Sequence, residues 1–87
     1  MPRFLAVHPH AFTEAQLKRL AGAKDQLPPD IKWNQTFCSP GSDRAFCDWD
    51  APDKDAVEQV LNANDLPFVA IYRVDRFDPG TAEFDHL

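Results

Sequence analysis

Arg44-Ala45-Phe46-Cys47-Asp48-Trp49-Asp50-Ala51-Pro52, followed by Asp53–Asn64 and Leu66–Pro79, is the stretch that decides the fold. It reads as a strand, a proline-marked turn, an amphipathic helix, a short turn and a second strand, together one βαβ unit. Ala45–Trp49 is rich in bulky side chains and is stopped by Asp50-Ala51-Pro52. Asp53 is suited to be an N-cap, accepting a backbone N–H of the first turn. Asp55 adds negative charge where the helix dipole favours it. Val57, Val60 and Leu61 then recur at the i, i+3, i+4 spacing of a core-facing helix. Asn64 suits a left-handed position at the helix end, and Pro67 prevents continuation. Phe68–Val74 resumes as a strand.

Working outward, Arg3–His8 reads as a short buried strand ended by Pro9. Thr13 and Gln16 match the capping box of a helix start, with Phe12 placed to staple against Leu17. Leu17, Leu20, Ala21 and Leu27 supply an apolar stripe, weakened at Gly22 and ended by Pro28-Pro29-Asp30. Ile31–Cys38 alternates Ile31, Trp33, Gln35 and Phe37 against Lys32, Asn34, Thr36 and Cys38, as a strand with one wetter face does. Ser39–Asp43 has Pro40 and Gly41 where a type II turn wants them.

The order βαββαβ predicts a ferredoxin-like α+β fold. Its four-stranded antiparallel sheet has the order 4-1-3-2, with two helices on one face. Residues 1–79 form the domain and 80–87 a C-terminal tail. Both alternating sets of the first and last strands contain apolar side chains: Phe4 and Ala6 against Leu5 and Val7, Phe68 and Tyr72 against Val69 and Ile71. A sheet apolar on both faces but covered on one needs a second cover, so a homodimer through the open sheet face is expected.

Eighty-seven residues make one domain near the lower limit of a single core. The apolar share of 44% argues against disorder. A net charge of −5 speaks against nucleic acid, which needs a basic face. No apolar run is long enough to cross a membrane as a helix. Met1-Pro2-Arg3-Phe4 lacks the layout of a signal peptide, which makes the cytoplasm the expected location. The two cysteines are then reduced thiols rather than a disulfide framework.

At Phe46–Pro52, Ala56-Val57, Asn64-Asp65-Leu66-Pro67 and Val74–Pro79 the chain resembles a small nickel-responsive-protein-like family, largely described as domains of unknown function. The Met1–Leu5 opening is similar too. The resemblance implies a ferredoxin-like fold, dimerisation and, for some members, binding of a divalent metal ion. Asp65 stands where that family commonly has glycine, and Asp48 where an apolar residue is more usual.

His8-Pro9-His10 is the sharpest local feature. Two imidazoles flanking a proline can approach one ion, and imidazole suits nickel, copper and zinc. The first and third strands are expected to lie side by side and parallel, so their C-terminal ends lie together, and His8 and His10 approach Asp50 with Cys47 further inside. That set, His8, His10, Asp50 and Cys47, is the candidate site for nickel or another divalent transition metal; no organic cofactor is expected. Each member also has a plainer reading: histidines at a strand end that simply titrate, a cysteine packed as a small hydrophobe, and Asp48 and Asp50 on a solvated face. The rival function is a dimeric α+β-barrel-type enzyme, a cofactor-free oxygenase or isomerase, or a small-ligand-binding domain. A Cys–His pair of His8 and Cys47 requires both side chains on one sheet face.

Overall fold

In the computed structural model, which describes residues 1–86, the chain is an α+β domain with a four-stranded antiparallel sheet and two helices. The strands are β1 (Arg3–His8), β2 (Lys32–Ser39), β3 (Arg44–Asp50) and β4 (Ala70–Val74), and the helices are α1 (Glu14–Gly22) and α2 (Lys54–Ala63). The sheet order is β2-β3-β1-β4, the expected order read from the other edge. No helix among the described residues is long and apolar enough to cross a membrane.

The central pair runs antiparallel, with Arg3 opposite Asp50 and His8 opposite Ala45. This corrects the expectation that β1 and β3 run the same way. The β2–β3 hairpin reverses the chain, and a crossover through α1 makes β1 and β2 parallel, so β3 must oppose β1. The start of β3, not its end, therefore lies beside His8.

Local capping agrees with the sequence. Gln16 N donates to Thr13 Oγ1 at 3.2 Å while Thr13 N donates to Gln16 Oε1 at 2.8 Å, the reciprocal box. Ala56 N donates to Asp53 Oδ1 at 2.8 Å at the start of α2. The left-handed residue that closes α2 is Asp65 (φ 55), not Asn64. Asp65 N donates to Asn62 O and Leu66 N to Leu61 O, the paired bonds of a Schellman end. Asn64 keeps a negative φ (−104) and uses its side chain instead, Nδ2 donating to Val60 O. Likewise Pro40–Ser42 winds into a 3-10 turn with Asp43 (φ 50) left-handed, and Gly41 has no positive φ, so the expected type II turn does not form.

Alternation along β2 breaks at a bulge between Trp33 and Gln35. Phe37 pairs with Phe46 and Thr36 with Cys47; without a slip Trp49 would face Asn34, and the bulge lets it face Trp33. The two indoles stack with centroids 6.2 Å apart. Trp33 and Phe37, expected on one face, thus lie on opposite faces, because an extra residue flips everything beyond it.

The core lies between sheet and helices: Phe4 and Ala6 of β1, Cys47 and Trp49 of β3, Ile71 of β4, and Val57, Val60 and Leu61 of α2. By contrast α1 has no buried residue, so it is the more lightly held helix. Beyond β4, β5 (Arg76–Asp78), from the end of the expected domain, pairs with β6 (Glu83–Asp85), from the expected tail, as a separate two-stranded hairpin.

Two substitutions check these ends. Thr13→Ala should cost about 0.5–2 kcal/mol in chemical denaturation, because it orphans a first-turn N–H. Asp65→Gly should gain about 0.5–1 kcal/mol, since a Cβ in the left-handed region costs about 1–2 kcal/mol and the greater unfolded freedom of glycine returns some of that.

Candidate functional site

The antiparallel register puts β1 residues Phe4, Ala6 and His8 on the helix-covered face together with Ala45, Cys47 and Trp49 of β3. His8 is 0% exposed and Cys47 3%. His8 sits diagonally across from Cys47 in the ladder, and its Nε2 lies 3.1 Å from Cys47 Sγ. The condition for a Cys–His pair is met.

That pair is the middle of a longer chain of hydrogen bonds. Trp33 Nε1 donates to Thr36 Oγ1 at 2.8 Å, Thr36 Oγ1 lies 3.2 Å from Cys47 Sγ, and His8 Nδ1 lies 2.7 Å from Pro67 O. Both ends fix the protons. An indole N–H can only donate and a carbonyl can only accept. His8 Nδ1 therefore carries the ring proton and leaves Nε2 bare. The Cys47 thiol donates to that nitrogen, and the Thr36 hydroxyl donates to the sulfur. Every member is then neutral and satisfied.

Burial keeps it so. Desolvation holds the His8 pKa below its ordinary 6.5, with the Pro67 carbonyl pulling the other way to a smaller extent. Desolvation pushes the Cys47 thiol up to about 11, against the smaller opposing pull of the Thr36 hydroxyl. A thiol at that value is a poor nucleophile at neutral pH, so the pair is not a ready-made thiolate–imidazolium catalyst.

The other expected site residues lie elsewhere. His10 is exposed, and its Nδ1 lies 2.7 Å from Asp43 Oδ2, while Ala11 N donates to Asp43 Oδ1. The His10 hydrogen bond chiefly holds the Asp43 carboxyl below its usual range. Asp50 is at the far end of the sheet beside Arg3, whose Nε lies 3.5 Å from Asp50 Oδ1. The four residues therefore split into a buried His8–Cys47 pair, an exposed His10 and a distant Asp50. Asp48 is only 7% exposed rather than solvated: Gln35 Nε2 donates to it at 3.0 Å, and Arg3 Nε lies 3.3 Å away. Cys38 faces Ala45 across the ladder, and both cysteines are free thiols.

Thr36, Trp33 and Pro67 belong to the site without having been expected there. The hint for the first two is the pair of tryptophans flanking the hairpin, which can face each other only through a one-residue slip. Pro67 contributes a backbone carbonyl and leaves no mark in side-chain chemistry.

Beside Cys47 is a cavity of about 30 Å³ lined by Leu17 and Leu20 of α1, Val60 of α2, Trp33, Trp49 and Leu66. That is room for a water molecule or two, not for a substrate. A wider groove of about 390 Å³ runs between Leu27–Ile31 and α2, and its polar lining is three amides and Asp30. Imidazole nitrogen and thiolate sulfur suit nickel, copper and zinc, so the His8–Cys47 pair fits such an ion in chemistry. In number it falls short: no group of three or more His, Cys, Asp or Glu placed to hold a metal occurs among the described residues.

A family model described as "Nickel responsive protein SCO4226-like" matches residues 4–74. No curated protein and no solved structure matches the chain.

Neutral burial predicts a two-sided pH profile of stability. His8, with its folded pKa lowered, contributes stability that is present above 6.5 and lost as pH falls below it. Cys47, raised from 9.0 to about 11, contributes stability that is present below 9 and lost as pH rises towards 11. Urea midpoints should fall on both sides, and Cys47→Ser should flatten the alkaline limb relative to the unsubstituted protein. In the native protein, a thiol reagent should label the half-buried Cys38 well before the buried Cys47.

Proposed function

The chain belongs to the nickel-responsive protein SCO4226-like family, and from that premise we propose that it is a small cytoplasmic protein that binds a nickel-type divalent ion. The ion is taken by His8 Nε2 and Cys47 Sγ. The single observation that carries this reading is the 3.1 Å approach of a bare imidazole nitrogen to a thiol in the core. His10 and Asp50 have no role in it, since each is engaged elsewhere. Only the thiol proton has to leave, because the imidazole is already neutral. The remaining ligands come from outside the pair, with the Thr36 hydroxyl 3.2 Å from the Cys47 sulfur as one oxygen at hand. The ion enters by displacing α1, whose Leu17 and Leu20 roof the cavity beside Cys47. A ferredoxin-like chain topology agrees with the strand order and the helix-covered face. The enzyme reading has less support, as the cavity beside the His8–Cys47 pair is too small for a substrate.

The test is calorimetric titration of tag-free protein with Ni²⁺. Cys47→Ser, shown by circular dichroism to stay folded, should weaken binding at least tenfold and abolish any sulfur-to-metal charge-transfer absorption. His10→Ala and Asp50→Asn should stay within about twofold of the parent. Unchanged affinity in Cys47→Ser, with loss in His10→Ala, would move the site to the exposed His10–Asp43 pair and overturn this assignment.

A further inference from the structure

Ala45 has only a methyl side chain, is 0% exposed and has neighbours on both sides on the helix-covered face of the sheet. Cys38 of β2 lies opposite it on one side and His8 of β1 on the other. Cys47, two residues further along β3, is therefore diagonal to both. Alternation along β2 puts Cys38 on the same face as Thr36, whose hydroxyl lies 3.2 Å from Cys47 Sγ. Burial first, and to a smaller degree the nearness of Cys38, holds the Cys47 thiol protonated. One imidazole and two thiols thus surround one small side chain. Cys38 differs from the other two in being only half-buried.

The diagonal spacing decides what the two thiols can share. Diagonal partners in a ladder have Cα atoms about 7–8 Å apart, past the roughly 7 Å that a disulfide spans without backbone movement. Two thiolates on one ion reach further: at about 2.3 Å from the metal their sulfurs stand about 4 Å apart, against about 2 Å in a disulfide. Charge points the same way. A divalent ion held by one thiolate and a neutral imidazole leaves an uncompensated positive charge in an apolar core, which is costly. The four strands carry two carboxylates, Asp48 and Asp50, and both alternate to the opposite face. Asp43, beyond the start of β3, is exposed and engaged with His10 and Ala11. We propose, resting on the nickel-type reading of the His8–Cys47 pair, that Cys38 Sγ is the third protein ligand of the ion. As the side chains stand, the three do not form a metal-holding group among the described residues, so Cys38 turns about χ1 towards the ion as it arrives. Cys38 and Cys47 each give up one thiol proton to water, and two thiolates with a neutral imidazole leave the bound divalent ion without net charge. That set of one nitrogen and two sulfurs favours nickel, copper or zinc over magnesium, calcium or manganese, which prefer oxygen.

The test uses the full, tag-free chain with Ni²⁺, read by calorimetry and by thiol labelling. Saturating Ni²⁺ should slow labelling of Cys38 in the unsubstituted protein at least tenfold. Cys38→Ser, shown to stay folded by its tryptophan near-ultraviolet dichroism, should weaken Ni²⁺ binding at least tenfold. Titration in buffers of different ionisation enthalpy should show about one proton fewer released per ion in that variant. Parent-like affinity in Cys38→Ser, with loss in Cys47→Ser, would leave the pair as the site and overturn Cys38 as a ligand. Parent-like affinity in both variants would overturn the pair and its third ligand together. Cys38 labelling indifferent to saturating Ni²⁺ would overturn the role of Cys38 equally, with no substitution needed.

Discussion

The β1–β3 ladder is the contact on which the rest of this molecule depends. It joins the two βαβ halves through the middle of the sheet, and it sets what each half presents to the other. Because side chains alternate along a strand, one residue of slip in β1 would turn His8 away from Cys47 to the open face and bring Leu5 and Val7 into the core. Burial of Phe4, Ala6, Ala45 and Trp49 on the covered side opposes such a slip. The same hydrophobic preference that fixes the register therefore places a titratable ring against a thiol. The pair is a consequence of sheet registration before it is a site.

Taking two polar groups into an apolar core is tolerable only if each is hydrogen-bonded, and here the protein solves that with direction. A donor-only indole at one end and an acceptor-only carbonyl at the other leave one arrangement of protons for everything between. The β2 bulge is what makes this possible, since it turns Thr36 towards Cys47 while keeping Trp33 stacked on Trp49. Removing any link would leave a buried polar atom unpaired, so the chain of bonds holds as a unit. On the other face Asp48 is treated differently. It is kept near the surface plane and surrounded by Gln35, Asn34 and Arg3, which share its charge.

Much of this is legible in the sequence, and the boundary between what is and is not follows range along the chain. The Thr13 capping box, the Asp53 cap, the apolar face of α2 and the order of strands depend on residues a few positions apart, where composition and spacing speak directly. Strand direction, the bulge and the His8–Cys47 contact depend on partners tens of residues away. Reading β1 and β3 as parallel brings Asp50 to His8, when the hairpin between β2 and β3 sends Asp50 to Arg3 instead. The left-handed helix end falls on Asp65 rather than Asn64 because both residue types tolerate that region. There the family's usual glycine is the better guide, marking the position whose φ is positive.

A buried neutral pair makes an unusual metal ligand set, and the tension is informative. At His8 and Cys47 an ion must displace a thiol proton held up to about 11 and push apart a ring and a sulfur that the core keeps together. Binding there is tied to a change in packing. The element best able to yield is α1, which buries no residue fully and roofs the adjoining cavity, whereas α2 is anchored by Val57, Val60 and Leu61. An ion arriving at Cys47 would thus be registered as a displacement of one helix over an otherwise fixed sheet. On the proposed reading, occupancy of the pair would thereby be coupled to shape, because a ligand shifts an equilibrium only through its different affinity for the two states.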